Sequence, residues 1–353
     1  MSSKGLQNIS AGDTSLCLMG EGVNALYYLG YDATSLATHH SFELVCYLLT
    51  RRIFPSENEL KQYQQRLISL SEIPAELASL VKTFPKTADP MDILRTSVSY
   101  LGILQPEKDT HDHYFIVDQL IALMPRIIGL WRGVKISQDD SLALAACKAC
   151  CDTTINDAMI SAMNASLILY AEHEFNASTF AARVTSATLS DIYSAICSAI
   201  GTLRGPLHGG ANREALKLIK EFETVESVEE GIHAKLKKGE KLMGFGHRVY
   251  KTSDPRSIYL KQLLEKDFQC EQLKVAMQIE ATILKEKNII SNVDFYTAVL
   301  YDQMSIPENL FVSIFVMGRI TGWLAHILEQ RADNRLIRPD ANYIGEEPRP
   351  LEW

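Results

Sequence analysis

Between Ala162 and Leu203 the chain is built almost entirely of Ala, Ser, Ile, Leu and Thr, with few charges. A helix with no polar face has to be buried, so this stretch predicts central helices enclosed by the rest of the chain. Its small residues let those helices pack closely. Burying such a segment needs a large surrounding fold, and 353 residues with 46% hydrophobic side chains can supply one, with about two domains as the length prior.

The flanking sequence reads mainly as helix. Residues 14–32 alternate weakly around Gly20 and Gly22, as in a short hairpin. Ser41 precedes an apolar stripe at Phe42, Leu44, Val45, Leu48 and Leu49, which Pro55 breaks. Ser56 and Glu59 form a capping box. Asp89-Pro90 reads as an N-cap followed by an N1 proline, with Gly102 ending that helix. An apolar helix is expected over Ile116–Trp131, and residues 133–160 show no clear face. From about 213 to 315 charge rises and the helices turn amphipathic, as at Leu273, Ala276, Ile279 and Ile283. Apolar packing returns over Leu310–Leu328, and the tail from Arg331 is polar and irregular. Continuous βαβ alternation is missing, which disfavours a parallel sheet.

Charge and cysteine usage narrow the partners. A net charge of −8 without a basic block argues against nucleic acid or an anionic membrane. The polar N-terminus carries no secretory core, and no apolar run reaches membrane-spanning length; Phe115–Trp131 is interrupted by Asp118, Pro125 and Arg126. Seven cysteines, an odd number, predict reduced thiols and a cytoplasmic setting. The Cys147, Cys150 and Cys151 cluster lacks a second ligand pair at zinc spacing and reads as buried small side chains.

Five positions could carry chemistry. His208 sits in Gly205-Pro206-Leu207-His208-Gly209-Gly210-Ala211-Asn212, where Gly205 and Pro206 stop one helix and Asn212 starts another. It is either a turn-capping histidine or a catalytic imidazole beside unpaired N–H groups. His173 lies between Glu172 and Glu174 inside an apolar run, as an internal ion pair or a functional group. Gly244-Phe245-Gly246-His247-Arg248-Val249-Tyr250-Lys251, followed by Asp254-Pro255-Arg256, suits an anion-binding loop or an ordinary basic turn. Asp294, in Asn292-Val293-Asp294-Phe295-Tyr296, is an N-cap or a carboxylate base. Arg319, within the apolar Phe315–Trp323, needs an anionic partner such as a bound carboxylate. No nucleophile motif and no HExxH metal pair is present. Imidazoles, a carboxylate and arginines without a metal suit proton abstraction beside a carbonyl on a polycarboxylate.

At these residues the chain resembles the citrate synthase family. GPLHGGAN, MGFGHRVYKTSDPRS, NVDFY and GRITGW occur in that family's order, with AGDTSLC and DPMDILRT nearer the N-terminus. Tyr170 and Phe175 in LYAEHEFNASTF look more like the methylcitrate branch, since His and Leu are familiar there in typical members. The resemblance implies an all-α fold with a large, dimer-forming domain (1–208 and 314–353) and a smaller mobile domain (209–313). It implies that Asp294 takes a proton from an acyl-CoA α-carbon, that His208 stabilises the enol and that His247 polarises the ketone of oxaloacetate. His173, Arg256, Arg319 and Arg338 match dicarboxylate-binding positions, with Arg338 reaching the neighbouring subunit's site. Gly244, Phe245, Gly246 and Lys251 match contacts to CoA, which is a substrate; no metal or resident cofactor is implied.

The implied reaction joins propionyl-CoA, oxaloacetate and water to give 2-methylcitrate and CoA, with acetyl-CoA the near alternative. A non-catalytic tricarboxylate-binding protein is the alternative of a different class. Leu29 stands where the family usually has arginine, residues 133–160 match poorly, and Arg132 is a weak match to a CoA phosphate contact.

Overall fold

The computed structural model describes residues 5, 9–20, 23–108 and 113–350. Its small sheet is antiparallel, in the order β1 (Cys17–Gly20), β2 (Val23–Tyr28) and β3 (Tyr31–Asp32). The hairpin expected around Gly20 is present; Gly22 lies outside the described residues. Leu29 and Gly30 both take positive φ, 49° and 88°, which matches the right-handed strand twist between β2 and β3.

Sixteen α-helices account for most of the remaining described residues. The first ten are α1 (Ala33–His39), α2 (Phe42–Arg51), α3 (Glu57–Ser69), α4 (Ala75–Thr83), α5 (Pro90–Leu104), α6 (His113–Arg132), α7 (Leu142–Cys150), α8 (Asp157–Tyr170), α9 (Ala177–Ala187) and α10 (Ile192–Leu203). Then come α11 (Ala211–Lys220), α12 (Val228–Lys237), α13 (Pro255–Asp267), α14 (Glu271–Lys287), α15 (Val293–Gln303) and α16 (Phe311–Ala332).

Local chemistry sets many of these boundaries. Ser41 caps α2, and the Ser56–Glu59 box closes in both directions at the start of α3. Asp89 caps α5 with Pro90 at its first position. Two expectations fail. Gly102 does not end α5; it lies inside the helix, where a Cβ would stand 3.2 Å from the Tyr193 Cβ, so it permits close packing on α10. Asn212 does not cap α11, which starts one residue earlier from Gly210. The faceless stretch 133–160 resolves into two capped helices, α7 from Ser141 and α8 from Asn156.

Helix α16 is the centre of the fold. It packs on α2, α5, α6, α8, α9 and α10, and nearly all of its residues are buried. Helices α6 and α16 are long and apolar enough to cross a membrane, which corrects the reading that no run reaches that length. Both are core helices instead, with most or all of their apolar windows covered by protein. In a second group α11 and α13 pack on α15, α12 packs on α14, and α13 also touches α1, α8 and β2. Among the described residues, 333–350 form no helix or strand and are mostly exposed.

Candidate active site

Two glycines of α16, four residues apart and so on one face of the helix, create the site's floor. A Cβ on Gly318 would stand 2.8 Å from the Leu167 carbonyl oxygen, and one on Gly322 would stand 2.2 Å from that of Ala171. Only glycine lets the C-terminal end of α8 lie this close to α16. Arg319, between them, donates from Nε to the Tyr170 carbonyl at 2.6 Å, and its guanidinium lies 4.8 Å from the Phe315 ring centre. It is 2% exposed, forms no salt bridge among the described residues, and burial holds its pKa below the ordinary arginine value. A buried cation without a paired anion is a strong attractor for one.

Arg256 is the second buried guanidinium. Asp254 caps α13 and accepts from Arg256 Nε at 3.0 Å and Nη2 at 2.8 Å. The same carboxylate accepts the Val293 N–H at 3.1 Å, which ties the start of α13 to the start of α15. His173 leaves α8 toward this pair. It is buried, and its Nε2 has no hydrogen-bond partner. Burial first, and then the charges of Arg256, His247 and Arg319, push its pKa well below the usual histidine value. Its ring lies 5.1 Å from that of His247.

His247 is carried by a glycine loop that is clamped to the segment entering α15. Gly244 and Gly246 take φ of 87° and 79°. The Gly246 N–H donates to the Ile290 carbonyl at 2.8 Å, and the Asn292 N–H donates to the Gly244 carbonyl at 2.9 Å. The N–H groups of Val249 and Tyr250 both donate to His247 Nδ1, at 3.1 Å and 3.0 Å. A nitrogen that accepts two donors is unprotonated, so the neutral ring carries its proton on Nε2. Burial, reinforced by Arg256, pushes the pKa down to about 4.

Asp294 is not the N-cap of α15; Asn292 is. Its carboxylate instead accepts the Tyr170 hydroxyl at 2.8 Å. Burial raises its pKa, and the bond from Tyr170 opposes that rise. The Tyr170 ring packs on Phe315, with centres 4.4 Å apart, and His208 approaches the same Phe315 at 6.2 Å.

His208 occupies a tight turn in which its own N–H and that of Gly209 both donate to the Gly205 carbonyl. A Cβ on Gly209 would stand 2.3 Å from the Leu203 carbonyl oxygen, so the glycine is sterically required. Ser178, in the first turn of α9, donates its backbone N–H to His208 Nε2 at 3.3 Å, with Oγ at 2.8 Å. The ring proton of the neutral form therefore lies on Nδ1. Burial, then the charge of Arg319, pushes the pKa down to about 4. The positive end of α9 disfavours imidazolium in the same sense.

The structure thus gathers His173, His208, His247, Asp294, Arg256 and Arg319 around one set of neighbours. It does not bring Arg338 there: this residue is exposed in the tail and pairs with Asp340 at 3.0 Å. Lys251 folds back onto the carbonyls of His247 and Arg248. Arg132 pairs with Asp152 and the Ala149 carbonyl, which holds α6 to the end of α7. Ser178 escaped the sequence reading, although Asn176-Ala177-Ser178-Thr179 is a recognisable helix start whose cap Asn176 supplies. A cavity of about 680 Å³ opens elsewhere, beside His39, His40, Asn164 and Tyr259; its buried charge, Glu43, already accepts the Leu142 N–H.

Comparison with known proteins gives a consistent result. The family described as "Citrate synthase, C-terminal domain" matches residues 5–340. A 2-methylcitrate synthase of Shewanella oneidensis is 41% identical over 98% of this chain and 96% of its own. Citrate synthase 2 of Bacillus subtilis is 40% identical over 97% of this chain and 95% of its own. Among solved structures, the ternary complex of carboxymethyl coenzyme A and oxaloacetate with the citrate synthase of Thermoplasma acidophilum superposes with a TM-score of 0.89, at 30% identity, covering 99% of this chain and 98% of that one.

Proposed function

The chain belongs to the citrate synthase family of condensing enzymes, and on that premise we propose that it condenses propionyl-CoA with oxaloacetate and water to give 2-methylcitrate and CoA. The observation that carries the choice of acyl group is Tyr170. Its hydroxyl holds Asp294, and its ring extends an aromatic surface with Phe315 beside that carboxylate. Such a wall offers apolar contact to the extra methyl group of a propionyl chain. The near-equal likeness to a relative named citrate synthase favours a second reading, acetyl-CoA as a competing substrate. One methylene is worth only about 1–3 kcal/mol of discrimination in a pocket.

The chemistry follows from the protonation states. Oxaloacetate binds first, its carboxylates on Arg256, Arg319 and the free His173 Nε2, with Arg338 from a second copy of the chain completing the site. Asp294 removes the α-proton of the thioester. His208 donates from Nδ1 to the thioester oxygen and so stabilises the enol without itself ionising. His247 donates from Nε2 to the ketone oxygen of oxaloacetate. The α-carbon attacks that carbonyl carbon, the alkoxide takes the His247 proton, the proton removed by Asp294 makes good that loss, and water then cleaves the thioester to release CoA and one proton. The Gly244–Gly246 backbone, Phe245 and Lys251 are the proposed contacts to CoA, Lys251 after leaving the His247 and Arg248 carbonyls it now holds. Residues 209–313 act as the smaller domain, closing over oxaloacetate to exclude water. All seven cysteines are free thiols, in keeping with a cytoplasmic protein.

Asp294→Asn tests the base. It should abolish CoA release from propionyl-CoA while oxaloacetate binding, read by calorimetry, stays near the wild-type level. Preserved turnover would remove Asp294 from its role.

A further inference from the structure

A buried polar chain runs behind the proposed oxaloacetate site, and none of the roles above uses it. His326 on α16 is fully buried. Arg183 of α9 donates from Nη1 to His326 Nδ1 at 2.9 Å. Arginine has no acceptor, so Nδ1 is unprotonated and the ring proton sits on Nε2. That Nε2 donates to Glu172 Oε1 at 2.8 Å. The same oxygen accepts the Glu174 N–H at 2.6 Å. Glu174 has a φ of 54°, a left-handed conformation that a glutamate adopts only when its surroundings impose it.

The chain is anchored at its far end. Arg183 also donates to Glu329 Oε2 at 2.8 Å, and Glu329 accepts Thr14 and Ser15 from the N-terminal segment. Phe175 closes the network, its ring 5.6 Å from that of His326 and 4.5 Å from the Arg183 guanidinium. His173 is the residue between Glu172 and Glu174, so its backbone is fixed on both sides.

A buried imidazole–carboxylate pair is a poor device for stability, because apolar residues of similar volume do as well or better. Here the pair also leaves Glu172 Oε2 with no hydrogen-bond partner, against Gly322. We infer that His326 and Glu172 are positioning residues: they hold the left-handed turn at Glu174 and thereby aim the unpartnered His173 Nε2 at the dicarboxylate substrate. The inference rests on the assignment of oxaloacetate to this site.

The test compares wild type with His326→Leu, His326→Gln and Arg183→Met, in oxaloacetate affinity by calorimetry and in steady-state kinetics. His326→Leu should weaken oxaloacetate binding and raise its KM by on the order of tenfold, by analogy with the loss of a partner that orients a metal-ligating histidine. The kcat at saturating oxaloacetate should hold. His326→Gln keeps a donor for Glu172 and should restore most of the affinity. Arg183→Met keeps the ring but frees its tautomer, and should raise KM in the same direction; it carries the test if His326→Leu does not fold. An unchanged KM in a folded His326→Leu or Arg183→Met, or a His326→Gln as impaired as the leucine variant, overturns the inference. Wild type that fails to bind oxaloacetate at all would instead overturn the assignment of the site.

Discussion

Two of the site's imidazoles are poised as neutral donors from opposite ring nitrogens. His208 gives up Nε2 to the start of α9, and His247 gives up Nδ1 to its own loop. Nitrogen-detected NMR should find both neutral at pH 6, with the proton on Nδ1 of His208 and on Nε2 of His247; imidazolium signals at that pH would contradict the assignment. Both pKa values are depressed from 6.5 to about 4, so the stability these neutral rings contribute is present above 6.5 and is lost as pH falls toward 4. His208→Ala should lower kcat by the equivalent of about 2.7–4 kcal/mol, the range for loss of an oxyanion donor. At Asp294 the Tyr170 bond opposes the rise caused by burial. Tyr170→Phe removes that bond, so the carboxyl pKa climbs further, and the acid limb of the kcat/KM profile should move to higher pH. An unmoved limb would separate Tyr170 from the base. His173, His208, His247, Asp294 and Arg319 stood out in the sequence against their neighbours, while Arg256 and Arg338 took their roles only from the family resemblance. The partners of these residues were not legible: Ser178 lies 30 residues from His208, and Tyr170 lies 124 from Asp294. No local periodicity records a contact across such separations.

Helix boundaries were legible at Ser41, Ser56 and Asp89, but not at Ser141 or Asn156, which cap α7 and α8 as directly but precede stretches without a clear apolar face. Two signals misled for one reason. Gly102 and Asn212 are residue types that suit helix ends, but tertiary packing places both inside helices. The spacing of Gly318 and Gly322 carries more than a motif match, since it sets the approach of α16 to the end of α8, from which Tyr170, Glu172 and His173 project. Gly322→Ala would press a methyl group onto the Ala171 carbonyl. It should cost about 1–3 kcal/mol, the scale of overpacking, and lower the melting temperature together with oxaloacetate affinity. An unshifted melting curve would show that the two helices have slack here.

At the scale of the whole molecule, the helical fold and the order of its site motifs were readable from sequence, because burial pattern and motif order survive without coordinates. The dimer was implied by the family resemblance alone, and in the single chain Arg338 lies exposed in the tail, away from the clustered side chains. A dimer that shares Arg338 makes a sharp prediction. Arg338→Ala and Asp294→Asn should each be inactive alone, yet mixed subunits should regain activity, because one site per heterodimer then has both its own Asp294 and its neighbour's Arg338. No recovery on mixing would place Arg338 outside the shared site. The choice of acyl group is decided by free-thiol release with oxaloacetate and either propionyl-CoA or acetyl-CoA, compared as kcat/KM on one preparation. Both should turn over, with the higher value for propionyl-CoA; a higher value for acetyl-CoA would make acetyl-CoA the preferred substrate and overturn the role given to the Tyr170 wall.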